Sequence, residues 1–403
     1  MISGKSFRRM NSYYLVRLVL LSFYVLSVLM GFTVQIYDKS KGKVYTSKIF
    51  AFYSISLSVI MIIHYKSSDL LFSRSDEQSM VAKAVSGIEA TLLINVMLIG
   101  TIRRYITRRN SEELFDDFMR VQKSINYTPV DLYRILNMKA LKMVMIGIIL
   151  LTISIVFITI HKLETESELW IIFDVFTTMY PKALIVNLAS WYYLEVLYVR
   201  RYLELVNDML NNLHHKIARE LHIIRFGKCS TKYSYQLLRI MMIRSQIITL
   251  ASRLNKFFSL QMLTVFTLIS VLVLSQMYSL FLSVYRLNSN SSSGMLYRDL
   301  TILFVFMLVS YEAYCIADVC ELATEESNKT SEILHRYNSL HMDAQLKQTV
   351  EMFLIQLMHH PIKFTACGMF TLDYSVLFSI ITSATSYLII LIQFELADNC
   401  RKG

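Results

Sequence analysis

Hydroxyl and amide side chains recur along one face of an otherwise apolar stretch, residues 374–395. The stretch has 22 residues, with no Pro, no Gly and no charge before its last residue. A helix of this length spans about 33 Å, which matches the hydrocarbon thickness of a bilayer. Spacings of three and four place on one helical face Ser375, Ser379, Thr382, Ser386, Ile390 and Gln393.

Lipid disfavours such a polar stripe, because hydroxyl and amide groups find no hydrogen-bond partners in hydrocarbon. The stripe therefore predicts contact with helices of the same chain, with further copies of the chain, or with water. In the alternative interpretation, each hydroxyl bonds to a carbonyl of its own helix.

Ionisable residues within apolar stretches are a second candidate for chemistry, since burying a charge in lipid is costly and usually marks a cavity or a partner. They are Lys83, Glu89, Asp174, Lys182, Glu195, Glu312 and Asp318. Pockets for organic ligands combine aromatic walls with a few polar groups. The sequence predicts such a pocket, open to the outside, from Glu89, Phe157, Phe173, Asp174, Phe176, Tyr180, Tyr278, Phe281 and Phe304. The alternatives are structural ion pairs and ordinary packing or lipid contacts.

Catalytic and metal-binding patterns do not stand out in this chain. The pairs His214-His215 and His359-His360 are adjacent, so on a helix they point about 100° apart. Helical metal sites favour a spacing of four instead. The motifs GxxxxGK, GxGxxG and GxSxG do not occur, and the five cysteines have no ligand spacing. We therefore expect that the protein is not an enzyme and that it has no metal site, no cofactor and no disulfide framework.

Long apolar stretches must position the candidate residues. The chain has 403 residues, of which 54% are hydrophobic, and a mean hydropathy of +0.44. These values exclude an ordinary soluble protein. Continuous apolar runs, without the alternation of a membrane β-barrel, predict an all-α polytopic membrane protein. The runs are 13–37, 49–65, 80–102, 139–160, 170–199, 257–285, 300–320 and 374–397.

Loop charge predicts the orientation of these runs. Segments 103–142 and 200–256 contain nine and eleven Lys or Arg residues, whereas connections 66–79, 161–169 and 286–299 contain two, one and two. Basic loops remain in the cytoplasm. The prediction is seven transmembrane helices with a cytoplasmic N-terminus and an extracellular C-terminus. The same loops account for the net charge of +11, so we expect no nucleic-acid partner.

Residues 13–37 are the exception among the apolar runs, because both of their flanks are basic. We predict that they dip into or lie on the inner leaflet. The alternative is an eighth span with the N-terminus outside. The external connection 286–299 contains a glycosylation sequon at Asn290.

Three segments predicted inside the cell, 103–138, 200–256 and 325–360, carry apolar residues on one helical face. They predict helices that pack into a base below the membrane. Pro361 is expected to end the third of them. Gly368 is expected to permit a tight turn before the last helix.

The C-terminal sequence resembles the signature of insect gustatory receptors. The match comprises Tyr387, five aliphatic residues and Gln393-Phe394, preceded by Phe364, Ala366, Gly368, Phe370, Leu372 and Asp373. Members of the family usually have Thr directly before the Tyr. Here Ser386 occupies that position and Thr385 precedes it. Outside this region the resemblance is limited to size, hydropathy and loop charge.

The resemblance implies a ligand-gated cation channel of four subunits whose last helix lines a shared pore. It assigns to the pore and its gate Ser386, Tyr387, Ile390, Gln393 and Phe394, with the last two at a constriction near the outer mouth. It also implies that subunits hold each other through the base and that ligand binds among the outer halves of the preceding spans.

The predicted organisation follows from these points. Residues 1–48 form a cytoplasmic N-terminus with a membrane-associated helix, and 49–320 form a six-span ligand-sensing bundle. Residues 321–373 contain a cytoplasmic anchor helix, and 374–403 form the pore-lining helix with a short external tail.

The expected partners are a small-molecule tastant, bitter or otherwise aversive, other subunits of the same or related receptors, and membrane lipids. The expected location is the plasma membrane, in dendrites of gustatory neurons.

Two other classes compete with the channel. A G-protein-coupled receptor would have its N-terminus outside and would usually carry Asp-Arg-Tyr and Asn-Pro-x-x-Tyr, and neither string occurs here. A secondary transporter would usually show internal repeats with Gly- or Pro-broken helices, which are not visible in the sequence.

Overall fold

A computed structural model describes residues 21, 23–32, 35–38, 43–72, 80–106, 108–125, 129–165, 171–223, 230–286, 293–338, 340 and 343–402. In chain order the elements are α1 (described at residues 23–29), β1 (Gln35–Asp38), β2 (Lys43–Thr46), α2 (Lys48–Phe72), α3 (Met80–Ile106), α4 (Arg108–Ile125), α5 (Pro129–Thr165), α6 (Ile171–Ile223), α7 (Ser230–Arg286), α8 (Ser293–Tyr337), α9 (Ala344–His359), β3 (Thr365–Ala366), β4 (Phe370–Thr371) and α10 (Tyr374–Lys402). Apart from two short antiparallel hairpins, β1–β2 and β3–β4, these elements are helices. The all-α prediction is confirmed.

The seven apolar stretches predicted as spans fall in α2, α3, α5, α6, α7, α8 and α10. Within the described ranges, five helices are long and apolar enough to cross a membrane. The qualifying segments are Lys83–Gly100, Lys142–Leu163, Thr231–Val284, Leu296–Tyr337 and Tyr374–Ala397. The apolar segment of α2 is shorter, Lys48–Ile63, and α6 is not among the five.

Helix α6 is the central helix of the bundle. It packs against α5, α7 and α8, and Tyr192, Val196 and Leu203 are completely buried. Asn187 and Ser190 are buried beside them. Since protein surrounds this helix, polar side chains can find partners there, and a uniformly lipid-compatible surface is not required.

The described N-terminal segment, residues 23–32, packs one face against α6 and α2 and leaves Val25, Leu26 and Leu29 exposed. The Asn187 amide on α6 donates to the hydroxyl of Ser27 at 2.5 Å. The chain reverses at Gly31, whose φ is +70°. There the Ser54 hydroxyl on α2 donates to the Gly31 carbonyl at 2.5 Å. A Cβ on residue 31 would lie 3.3 Å from the backbone of α2, so glycine suits both the dihedral angle and the close approach.

The hairpin that follows contacts α4. Gln35 pairs with Thr46 and Asp38 with Lys43. The backbone N–H of Thr46 donates to a Glu112 carboxyl oxygen on α4 at 3.2 Å. The hairpin therefore lies on the same side of the bundle as segment 103–138.

The amphipathic segments pack into one helical base. Helix α4 buries Leu114 and Val121, and both α4 and α9 pack against α7. Asn207 on α6 donates to a Glu326 carboxyl oxygen on α8 at 2.8 Å and accepts from the Thr330 hydroxyl at 2.8 Å. Helix α8 runs unbroken through residue 320, where the sequence predicts a division between bundle and anchor.

Candidate pore helix and ligand site

The short hairpin β3–β4, which is hydrogen-bonded to α7, precedes the candidate pore helix, α10. Asn255 on α7 accepts from the Thr365 N–H at 2.9 Å, and its amide donates to the Thr365 hydroxyl at 3.3 Å. One helical turn later, the Ser259 hydroxyl accepts from the Cys367 N–H at 2.8 Å. Gly368 lies in the turn with a φ of +70°, and Cys367 before it also has a positive φ of 52°.

Because both residues have positive φ, we expect substitutions at Cys367 and Gly368 to change the stability of the protein in opposite directions. We expect Cys367→Gly to stabilise the protein by about 1 kcal/mol, because glycine adopts the left-handed region without a Cβ clash. We expect Gly368→Ala to destabilise it by a similar amount. Melting temperatures of the purified protein in detergent, followed by intrinsic fluorescence, test both changes. A lower melting temperature for Cys367→Gly would contradict this account of the turn.

The start of α10 is held by hydrogen bonds on two sides. The Asp373 carboxyl accepts from the Ser375 N–H at 2.9 Å and caps the helix. The Tyr374 hydroxyl donates to Asp318 on α8 at 2.6 Å. These contacts determine where the helix begins, so its apolar stretch starts directly after the hairpin β3–β4.

One narrow stripe attaches α10 to the rest of its own chain. Its fully or partly buried residues are Val376, Leu377, Ile380, Ala384, Leu388, Leu391, Ile392 and Glu395. At about 100° per residue, Ser386 lies about 180° and Gln393 about 160° from Glu395 around the helix. The polar stripe predicted from sequence therefore faces away from the chain's own bundle.

Large side chains are exposed outside the buried stripe of α10. Tyr387 and Phe394, about 80° and 100° to one side of Glu395, are 59% and 61% exposed, and Ile390, on the face opposite the stripe, is 45% exposed. On this face the hydroxyls of Ser379 and Ser386 donate to carbonyls one turn earlier, at 2.9 and 3.0 Å. These hydroxyl hydrogens are therefore bonded within the helix, as the alternative interpretation of the stripe predicts. The hydroxyl oxygens retain lone pairs that can accept further hydrogen bonds.

The predicted ligand residues fall into separate clusters. Phe157 on α5 and Phe304 on α8 stack with ring centroids 5.4 Å apart. Phe176 and Tyr180 on α6 lie 5.9 Å apart. Phe281 on α7 is half-buried.

Tyr180 faces the N-terminal segment. Its hydroxyl donates to the Met30 carbonyl at 3.2 Å, and its ring lies 5.1 Å from that of Phe32. Phe173 and Asp174 belong to α6, but their side chains lie outside the described part of the structure, as does Asn290.

The polar members of the predicted site connect several helices. Glu89 on α3 accepts from the Ser275 hydroxyl on α7 at 2.6 Å and interacts electrostatically with Lys182 on α6. One turn along α7, the Tyr278 hydroxyl donates to Glu395 on α10 at 2.7 Å. The sequence contains no signal for this last contact, because the two residues are 117 positions apart.

Glu312 is the most deeply buried of the ionisable residues singled out from sequence. It is completely buried, and neither carboxyl oxygen has a hydrogen-bond partner among the residues that the structure describes. A Cβ on Gly147 of α5 would lie 2.8 Å from its Oε1. Gly147 therefore makes room for the carboxyl group between α5 and α8.

An open cleft of about 490 Å³ lies on the base, far along α6 and α8 from the predicted ligand residues. It is lined by Leu205, Asp208, Met209, Asn211, Asn212, His215 and Arg336. Its polar lining differs from the aromatic walls expected of a tastant pocket.

The adjacent histidines of the base have different environments. His214 is half-buried, with its ring 5.1 Å from that of Tyr337, whereas His215 is exposed. Burial lowers the pKa of the His214 imidazole below its ordinary value. The neutral form is therefore favoured in the folded protein.

Acid should destabilise the base through His214. Because its folded pKa lies below the unfolded value, stability is present above the unfolded value, about 6.5, and is lost as pH falls below it. We expect the melting temperature to fall less between pH 7.5 and 5.5 in His214→Asn than in the unaltered protein. The matched control is the exposed neighbour, His215→Asn, which should retain the full acid sensitivity. Equal acid sensitivity of all three proteins would exclude His214 as the cause.

Comparison with known proteins identifies the family. The family model described as 7tm chemosensory receptor matches residues 10–398. Among curated relatives from Drosophila melanogaster, gustatory receptor for bitter taste 22e is 26% identical over 51% of this chain and 50% of its own. Putative gustatory receptor 28b is 28% identical over 48% of this chain and 44% of its own. The chain thus spans about half the length of these curated relatives.

Solved structures agree with the described architecture. The insect olfactory receptor OR5 from Machilis hrabei, in complex with eugenol, matches with a TM-score of 0.69 over 95% of this chain and 99% of that one, at 14% identity. The same receptor in a second structure matches with a TM-score of 0.67. The fold is that of a helical polytopic membrane protein, and the family is one of receptors rather than enzymes. The chain belongs to the 7tm chemosensory receptor family.

Proposed function

We propose that the protein is a ligand-gated, poorly selective cation channel, formed by four copies of the chain around a central pore lined by α10. The observation that carries the proposal is the geometry of α10. Its buried stripe faces its own bundle, whereas Ser386 and Gln393 point in the opposite direction. In a ring of four subunits with the bundles outside, that direction is the central axis.

Exposed apolar residues on the base support an assembly of several copies. On α9, Met352, Ile355 and Met358 are 44%, 56% and 82% exposed, and Met369 of the following hairpin is 73% exposed. These residues precede α10 and lie outside its apolar stretch, so lipid does not cover them in the proposed topology. A second copy of the chain would remove them from water.

The proposed orientation has the N-terminus inside and the C-terminus outside. Loop charge supports it, as does the contact between Thr46 and Glu112. That contact holds β2 beside α4. A segment that dips into the membrane and returns to the same side requires such a position. In this topology Asn290 is external, and its glycosylation remains a prediction.

The proposed ligand is a small organic molecule that enters from outside. Aromatic pairs such as Phe157 with Phe304, and the polar contacts of Glu89, supply the types of group that such a ligand requires. A bitter compound is favoured because one curated relative is named for bitter taste. The ligand would favour the open arrangement through its higher affinity for that state. The proposed location is the plasma membrane of gustatory dendrites.

Two measurements on one preparation test the function. We expect the purified chain in lipid nanodiscs to have the mass of four copies by mass photometry. We expect it to give unitary cation currents in planar bilayers when a panel of bitter compounds is applied. Uptake of a solute without unitary currents would indicate a transporter. A monomer that passes no current but activates a G protein would indicate the competing receptor class.

A further inference from the structure

We propose that the hydrogen bond between Tyr278 and Glu395 is a rotational lock that holds α10 with Gln393 turned toward the pore axis and Phe394 turned aside. Both residues are positioning residues. The inference rests on the proposed function, since it assumes that α10 lines a pore.

The contact differs from the other contacts described for α10. Glu395 is 4% exposed and Tyr278 is 2% exposed, and the hydroxyl donates to the carboxyl at 2.7 Å. In the described part of α10 beyond its first turn, the other buried or half-buried residues are apolar. Apolar contacts tolerate sliding and rotation, whereas a hydrogen bond requires a defined direction.

Because Glu395 directly follows Gln393 and Phe394, the bond to Tyr278 determines the direction in which these two side chains point. Phe394 is the preceding residue, about 100° around the helix, and Gln393 is about 160° away. When Glu395 points to α7, Gln393 points away from the bundle and Phe394 lies to one side. A rotation of α10 by about 100° would bring Phe394 to the axis and would move Glu395 out of reach of Tyr278.

Helix α7 also links this bond to the predicted ligand region. Ser275 lies three residues before Tyr278, about one turn away, and donates to Glu89. Glu89 in turn interacts with Lys182 on the central helix α6. A shift of α7 relative to α3 would therefore change the position of the Tyr278 hydroxyl that holds α10.

Labelling of single cysteines tests the lock without requiring a known ligand. Gln393→Cys and Phe394→Cys are placed separately in a background with Cys400→Ser, which removes the native thiol nearest in sequence. A membrane-impermeant cationic thiosulfonate is applied to intact cells, and the labelling rate is measured. Only a thiol that faces water reacts rapidly. The ratio of the rate at residue 393 to the rate at residue 394 measures the fraction of α10 that the lock holds.

Tyr278→Phe removes the hydroxyl and retains the ring. We expect it to lower the ratio of the two labelling rates about tenfold, because loss of one hydrogen bond to a carboxyl group shifts a two-state equilibrium by about that factor. Glu395→Ala should have the same effect, and the double variant should add nothing further. Ser270→Ala is the control, since its hydroxyl donates to the Phe266 carbonyl of its own helix at 2.8 Å. It should leave the ratio unchanged.

The outcomes separate the lock from the channel. An unchanged ratio in Tyr278→Phe overturns the lock, whether or not currents show that the protein is a channel. If neither cysteine is labelled, the outer end of α10 does not face water, and the lock and the proposed pore are both wrong. Additive effects of the two single variants would mean that the residues act separately, which also overturns the lock.

Discussion

Phe394→Ala raises the resting current of cells that express the protein, by roughly tenfold at equal surface expression. The side chain is 61% exposed on the face of α10 that its own bundle leaves free. In the proposed assembly at rest, α10 is rotated out of the Tyr278–Glu395 bond and four copies of this ring form an apolar neck that water leaves. Removal of the rings lets water and ions enter. A tenfold change corresponds to about 1.4 kcal/mol in the equilibrium between closed and open states. Whole-cell recording without added tastant measures it.

Phe378→Ala is the matched control for this experiment. Phe378 lies on the same helix, is 72% exposed, and is 16 positions from residue 394. The same side chain is lost at the other end of the apolar stretch. We expect a normal resting current from this variant. Equal resting currents from the two variants, or an unchanged resting current in Phe394→Ala, would mean that residue 394 does not form the constriction.

Charges on the exposed face of α9 should dissociate the assembly. We expect the double variant Ile355→Lys and Met358→Lys to shift the purified protein from four copies to one. An unpaired charge buried in an apolar interface costs about 3 kcal/mol, which is about a hundredfold in an association constant. Because both positions are exposed in the single chain, the fold of the subunit should persist. Mass photometry and circular dichroism measure the two properties.

The control places a positive charge elsewhere on the base. Thr231 is exposed at the start of α7, so Thr231→Lys adds one Lys at a position that is already polar. This variant should remain a tetramer and conduct. If the α9 variant also remains a tetramer with normal currents, the subunits do not meet at this face.

Helix positions followed closely from the amino-acid pattern. Apolar runs of span length and the amphipathic segments between them have strong periodic signals, so the helices were predictable. The turn at Gly368 was also expected, because glycine permits a tight turn and this glycine lies in the signature segment before the last helix. The two small hairpins were not predicted, since strands of two to four residues carry no reliable periodicity.

The ligand residues illustrate the limit of the pattern. Phe157 and Phe304 were named from their types, and the structure brings their rings together. Tyr278 was named as a pocket residue for the same reason, but its hydroxyl bonds to α10. An aromatic residue at a given depth can serve either role. Only the rotation of its helix and the identity of the neighbouring helix decide between them.

Hydropathy and residue spacing were enough to predict a polytopic helical membrane protein, the polar stripe of the last helix and the family signature at its end. These features are local, because they depend on the hydropathy and spacing of neighbouring residues. The tertiary structure decided which way the stripe faces and which residue of α7 holds Glu395. It also decided that α6 is the central helix. Such facts depend on contacts between residues far apart in the chain, and local periodicity carries no information about them.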